Sequence, residues 1–314
     1  MLTWSDNYIM GIDQFDQEHQ QLFRLAEQVI QRMRERSDEA NMRMFVIREA
    51  VTYINSYFDR HAQAEEAYMR RIGYDGYGMH KKLHDDFHSI QMVKYQKIIE
   101  NGQCNKDDVW DFIGSGIGWL LEHIATADMA IVGKGILVQT DAINVNEAAL
   151  EQEINVLLTS TLNIEANAKI ANTNYAGEYF GKAIHQKIVY QTDAGETSII
   201  SGIEQSFMLD VAKLLYGSEV KDEVSLILST FQLFSVHFWQ TLGMRFMGSR
   251  NGVAVKESHF IMDNQLAVEL EKLNPTTSVL FNSDKGKFYV ACDSAYPLNH
   301  RQIKSRDFFA SPCS

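Results

Sequence analysis

Between residues 61 and 84 the chain places a His and a Glu four apart in HAQAE (His61, Glu65) and two His four apart in HKKLH (His80, His84). On a helix, residues i and i+4 lie one turn apart on the same face, so each pair can aim two ligand atoms at one point. Two flanking stretches add what these pairs lack. FDQEH brings His19 near the start of an apolar-periodic run, and WLLEHIATAD brings His123 with Asp128 five residues on. The result is five imidazoles and two carboxylates over four expected helices, which suits two cations better than one. Imidazole serves Fe, Zn and Cu, and a carboxylate can bridge two ions and offset their charge. Facing helices of a bundle core are where such sites are built.

The apolar spacing supplies the helices. The first is expected over about 13–36, where Phe15, His19, Leu22, Phe23, Ala26, Val29, Ile30 and Met33 recur at helical intervals. The second spans about 40–71, with Phe45, Tyr53, Ile54, Tyr57, Phe58, His61, Glu65 and Met69 on its inward side. The stretch RIGYDGYG at 71–78 is expected to turn, because closely spaced glycines do not sustain a helix. A third helix over 77–101 and a fourth over 106–131 follow, separated by NGQCN. Residues 1–12 read as an extended arm anchored by Trp4 and Tyr8. A lone His on a core face is more often a satisfied core residue than a ligand; for His19 the six other ligand-type positions reverse that balance. Glu66, beside Glu65, takes the surface role.

Together W-x-x-x-Y (Trp4, Tyr8), GIDQFDQEH, YFDRHAQAEEAYM, HKKLHDDFH and WLLEHIATAD resemble the hemerythrins, the non-haem di-iron oxygen-binding bundles, over about residues 1–132. The resemblance implies two iron ions, oxo- or hydroxo-bridged, with dioxygen as ligand. Carried over residue by residue, it implies that Glu65 and Asp128 bridge the irons and that His80, His84 and His123 complete one of them. His19 and His61 would hold the other, leaving it an open position for dioxygen. Trp119 and Leu120 match positions that line the family's oxygen pocket, although both read equally well as core. His88, a third repeat at i+4, falls outside the ligand pattern. The implied chemistry is redox rather than acid–base, and no residue is assigned a catalytic role.

After GKG at 133–135 a connector is expected over 133–145, then a second domain over 146–305 and a tail over 306–314. A helical pattern begins near Asn146, the ligand-type His clusters vanish, and alternating β-branched segments appear at 183–191, 197–203, 276–284 and 287–294. Two helices, about 204–216 and 220–242, lie between them. The expected fold is therefore multidomain: an all-α up-down four-helix bundle, then an α+β domain whose two longest helices pack on an antiparallel sheet. Its order of elements is similar to the CheX-like chemotaxis phosphatases over about 146–296. Those carry a Glu-x-x-Asn pair on the long helix; here the aligned positions are Thr230 and Leu233, and Leu233 cannot orient a water. The resemblance thus implies dimerisation or docking rather than phosphatase activity. His185, His237, His259 and His300 are scattered over unlike elements and are not read as metal ligands.

A chain of 314 residues, 45% of them hydrophobic, can bury a core and exceeds the size at which single cores stop growing. The net charge of −12 argues against nucleic acid or an anionic membrane as partner. No uninterrupted apolar run reaches the ~20 residues of a membrane span, and no leader pattern opens the chain, so a soluble cytoplasmic protein is expected. Cys104, Cys292 and Cys313 are odd in number and widely spaced, as unpaired reduced thiols would be. The leading functional expectation is an oxygen or redox sensor that passes its ligation state to a CheX-like dimerisation or docking domain, with a homodimer and a chemotaxis or response-regulator partner. Two alternatives stay open: a di-iron redox enzyme acting on peroxide, nitric oxide or ferrous iron, and an oxygen storage or delivery protein. Ligand type alone leaves iron and manganese both open.

Overall fold

The computed structural model of the protein describes residues 2, 4–138, 143, 145–192, 195–247, 253–293 and 296. Pro297, His300, Pro312, Cys313 and the tail lie outside the described residues. Two compact units emerge, Met1–Gly135 with Val211–Ser235, and Ile136–Asp210 with Val236–Ser314.

The first unit is helical. α1 is Asp13–Arg36 and α2 is Ala40–Ile72. α3 runs Tyr77–Asp86, continues through a π-helical Phe87–Met92 and ends as Val93–Asn101. α4 runs Lys106–His123, widens into a π turn over Ile124–Asp128 and closes with Met129–Ile131. Local chemistry sets these limits. α1 opens on Asp13 and Asp16 and closes on Arg34 and Arg36, each complementing the helix dipole. Asp16 also accepts from the backbone N–H groups of Met10 and Gly11 at 2.8 and 3.0 Å, which ties the N-terminal arm to the helix. Along that arm Trp4 and buried Tyr8 pack on Phe23, with ring centroids 5.3 and 5.6 Å away. α2 ends at Gly73, whose φ of 67° lets its own N–H and that of Tyr74 return to the carbonyls of Arg70 and Met69. The turn is narrower than expected, because Tyr77 and Gly78 already belong to α3. Asn105 and Asp108 form a reciprocal capping box at the start of α4.

α4 is apolar on almost every side, and a helix of that kind must be covered all round. Its outer cover comes from far along the chain. Val211–Ser235 comprises the end of α6 (Gln205–Tyr216) and the first half of α7 (Val224–Met247). A Cβ on Gly114 would lie 2.6 Å from the Leu226 carbonyl oxygen, and one on Gly118 would lie 2.3 Å from that of Thr230. The two helix backbones therefore touch where these glycines face them. Ser225 and Ser229 donate to Asp107 and Asp111 of α4, both at 2.7 Å. Arg34 of α1 pairs with Glu223 at 2.7 and 2.9 Å and donates to the Tyr216 carbonyl. The front of α7 thus packs on the glycine face of α4 and belongs to the first unit.

The second unit is α+β, as expected. Among the described residues its strands are β1 (Lys169–Asn172), β2 (Ala183–Thr192), β3 (Gly195–Glu204), β4 (Ala254–Ile261), β5 (Thr277–Ser283) and β6 (Gly286–Cys292). They form one fully antiparallel sheet in the order β1-β5-β6-β3-β2-β4. α5 (Glu147–Leu162) and α8 (Asp263–Leu273) complete the unit, with Leu266 and Leu270 of α8 in one cluster with Ile200, Ile261 and Tyr289. β1, β4 and α8 were not anticipated. β1 has only four residues, and β4 exposes both faces over Lys256 and Glu257, so neither carries a clean period-2 signal.

Gly118 and Gly116 make a paired test. Gly118→Ala forces a methyl into the α7 backbone and should lower unfolding stability by about 1–3 kcal/mol. A Cβ on Gly116 meets nothing within 4 Å. Gly116→Ala should therefore be neutral or stabilising by up to about 1 kcal/mol through helix propensity. Denaturant unfolding of the two variants checks the contrast.

Candidate metal centre

The side chains of His19, His61, Glu65, His80, His84, His123 and Asp128 converge inside the bundle, and all seven are buried. α1 supplies His19, α2 supplies His61 and Glu65, α3 supplies His80 and His84, and α4 supplies His123 and Asp128. The five-residue step from His123 to Asp128 would point away from a shared target on a regular helix. The π turn over Ile124–Asp128, with its i→i+5 hydrogen bonding, lets the carboxylate return to the imidazole's side. His123 Nε2 and Asp128 Oδ1 end 3.0 Å apart.

Two groups of donor atoms result, one from Glu65, His80, His84, His123 and Asp128, the other from His19, His61 and Glu65. Glu65 is common to both. Its oxygens lie 3.6 Å from the Nε2 atoms of His61, His80 and His84 and 3.9 Å from that of His19. Asp128 reaches toward His19 as well, at 3.2 Å. None of these carboxylate oxygens makes an aligned hydrogen bond, although Glu65 and Asp128 are wholly buried. The imidazoles crowd in the same way: Nε2 atoms stand 3.1 Å apart in His19 and His61, 3.2 Å in His80 and His84, and 3.0 Å in His84 and His123. Buried carboxylates without donors are costly unless they are paired or coordinate metal. Inward-facing lone pairs from seven side chains are the donor set for cations, and they fit a pair of them.

The electrostatics follow from burial against the two carboxylates. Burial alone would lower the His61 imidazolium, but Glu65, Glu18 and Asp128 outweigh it and lift the group to about 9. Burial likewise works against charge on His80, yet Glu65 and Asp128 raise it. His84 and His123 are held down, by burial first and then, for His84, by its imidazole neighbours. Burial would raise the Asp128 carboxyl, but His123 and His19 hold it well below the usual range.

Trp119 stacks on His123 at 4.2 Å and on Phe87 at 4.3 Å, and Phe58 meets His84 edge-on at 5.5 Å. Trp119, Leu120, Phe58, Phe87, Leu22 and Ala26 wall an apolar cavity of about 80 Å³. Glu66 is not the plain surface residue expected. It is only 12% exposed, accepts from Tyr77, and comes within 4.0 Å of His84 Nδ1. His88 is exposed, 3.7 Å from Asp59 and outside the cluster. In the second unit His185 contacts Tyr289 and Asp263, His237 contacts Gln240, and His259 is exposed. Thr230 is buried, with its hydroxyl bonded to the Leu226 carbonyl and the Tyr216 hydroxyl; Leu233 is buried too. Cys104 and Cys292 are buried free thiols, the former pushed up to about 11 by burial. Sequence reasoning missed Glu18, whose Oε2 lies 2.6 Å from His61 Nδ1. Its only signal was its place next to His19.

The fold and the donor set define a metal-binding helix bundle. Residues 10–134 match the Hemerythrin HHE cation binding domain, and the N-terminal part of this chain is a hemerythrin-type domain. A bacteriohemerythrin of Clostridium acetobutylicum is 29% identical over 130 residues, 41% of this chain and 96% of that protein. One from Stenotrophomonas maltophilia is 24% identical over 130 residues, 41% of this chain and 78% of that protein. This membership implies a di-iron cofactor, which the donor set fits. The chain is also similar to a CheC-like superfamily protein from a Shewanella species, at 15% identity and a TM-score of 0.30, over 48% of this chain and 97% of that one. A second solved structure, from Desulfovibrio vulgaris Hildenborough, gives 14% identity and a TM-score of 0.27, over 48% of this chain and 98% of that one.

Protons and cations compete for the same nitrogens. With His61 lifted to about 9, cation binding there must release a proton at neutral pH, so apparent affinity should rise about tenfold per pH unit toward pH 9. Co²⁺ titrations at several pH values, with proton release read by calorimetry, check this. Because the folded-state value is raised, His61 stabilises the metal-free fold fully below about pH 6.5, and that contribution is lost as pH rises through about 9. The melting temperature of the chelator-treated protein should fall over that window.

Proposed function

We propose that this chain is a di-iron oxygen-binding sensor whose ligation state is passed to its second unit. Carrying the reading is the shared position of Glu65, buried and without a hydrogen-bond partner between the two donor groups. In this reading Glu65 and Asp128 would be ligands common to both irons, His80, His84 and His123 would hold one, and His19 and His61 would hold the other. An iron pair, when bound, would supply the electrons for reversible dioxygen binding. The three-residue donor group offers fewer protein ligands than the five-residue one.

The chain's own residues do the rest. Phe58 and Trp119 lay their rings against His84 and His123, and with Phe87 and Leu120 they wall the apolar cavity, which excludes water and favours a small apolar guest. Buried imidazoles packed against aromatic rings keep their orientation. Support for transmission comes from α4, which carries His123 and Asp128 and touches the α7 backbone at Gly114 and Gly118. α7 continues from Ser235 into the residues of the second unit. The second unit then serves as a dimerisation or docking module, on its sequence resemblance to the CheX-like family. Among the described residues no helix is long and apolar enough to cross a membrane.

An anaerobic-to-aerobic optical titration with iron counted per chain tests the binding part. Two irons, and a visible charge-transfer band that appears with oxygen and vanishes on its removal, are expected. Irreversible oxidation with turnover of an added reductant would favour an enzyme instead. For the sensing part, self-association and partner binding should differ between the deoxy, oxy and diferric forms; equality across all three would overturn it.

A further inference from the structure

The two donor groups differ in how their imidazoles are backed. His61 Nδ1 lies 2.6 Å from Glu18 Oε2, and the other Glu18 oxygen accepts from Gln14 Nε2 at 3.2 Å. Phe15 meets the His61 ring edge-on at 6.0 Å. In contrast, the Nδ1 atoms of His19, His80 and His84 are buried without a hydrogen-bond partner. Glu66, at 4.0 Å, stands beyond hydrogen-bond reach of His84. Glu18 Oε2, at 2.6 Å, accepts the Nδ1 proton of His61, so Nε2 is the nitrogen that faces the cluster and the proton a bound cation displaces is the one on Nε2. Consecutive residues of α1 thus have separate tasks: His19 points a donor atom inward, and Glu18 holds the ring of the facing donor on α2.

We propose that Glu18 is a positioning residue for the three-residue donor group, compensating that position for its smaller number of protein ligands. A carboxylate behind an imidazole fixes its tautomer and raises its basicity as a ligand. Among the described residues His61 is the one cluster imidazole with a carboxylate outside the donor set within hydrogen-bond reach of its outer nitrogen, so the effect falls on one metal position and makes the pair unequal. This rests on the di-iron reading.

The test is a Co²⁺ titration of the chelator-treated full-length chain, with Co²⁺ standing for ferrous ion. In Glu18→Ala the weaker of two dissociation constants should rise about 10–100-fold while the tighter changes by less than about twofold. Glu18→Gln, which keeps an acceptor oxygen without the charge, should fall between that variant and the unaltered chain. In the loaded protein, one of the exchangeable imidazole N–H resonances should exchange with water markedly faster in Glu18→Ala than in the unaltered chain, the others staying as they are. Two unchanged constants, or equal weakening of both, would overturn the proposal; equal weakening would indicate general structural damage. An unaltered chain that takes up fewer than two ions fails earlier, at the di-iron reading itself, and the proposal falls with it.

Discussion

Everything in the first unit answers to two carboxylates that have no donors. Glu65 and Asp128 sit at zero exposure, with imidazole nitrogens 3.0–3.9 Å away and no aligned hydrogen bond. An ionised group in such surroundings costs several kcal/mol unless an opposite charge offsets it. The two carboxylates favour a proton on His61 and on His80 against the effect of burial, and a cation pair would offset the cost better. Four helices must hold these seven side chains in register, and so the bundle's packing and its chemistry cannot be separated.

The same constraint explains the two departures from regular helix. A five-residue spacing on α4 would miss the cluster, and a π turn corrects it. α3 also widens, over Phe87–Met92, directly after its two histidines and where Phe87 packs against Trp119. Bulges of this type recur at functional sites because they re-aim side chains without ending the helix.

Much of this was legible in the sequence, because the signals were local. The i, i+4 pairs fixed the faces of α2 and α3, and the apolar periods set the helix limits to within a residue or so at Arg36, Ile72 and Asn101. Glu18 was not legible. Its meaning depends on a hydrogen bond to a residue 43 positions away, and a Glu on the helix next to a ligand otherwise reads as surface. The cover on α4 was hidden for the same reason. Gly114 and Gly118 show only as small residues until the α7 backbone is laid on them. β4 was missed because its burial does not alternate, and α8 because it is short and mostly polar.

The discontinuity of the first unit sets an order of events during synthesis. Gly118 cannot meet Thr230 until the whole chain from 136 to 210, which belongs to the other unit, has been made. Helix pairing within 1–135 is comparatively local and fast, whereas this last contact closes a long loop. A nascent bundle must therefore wait with the glycine face of α4 uncovered, an apolar groove open to unwanted partners until α7 arrives.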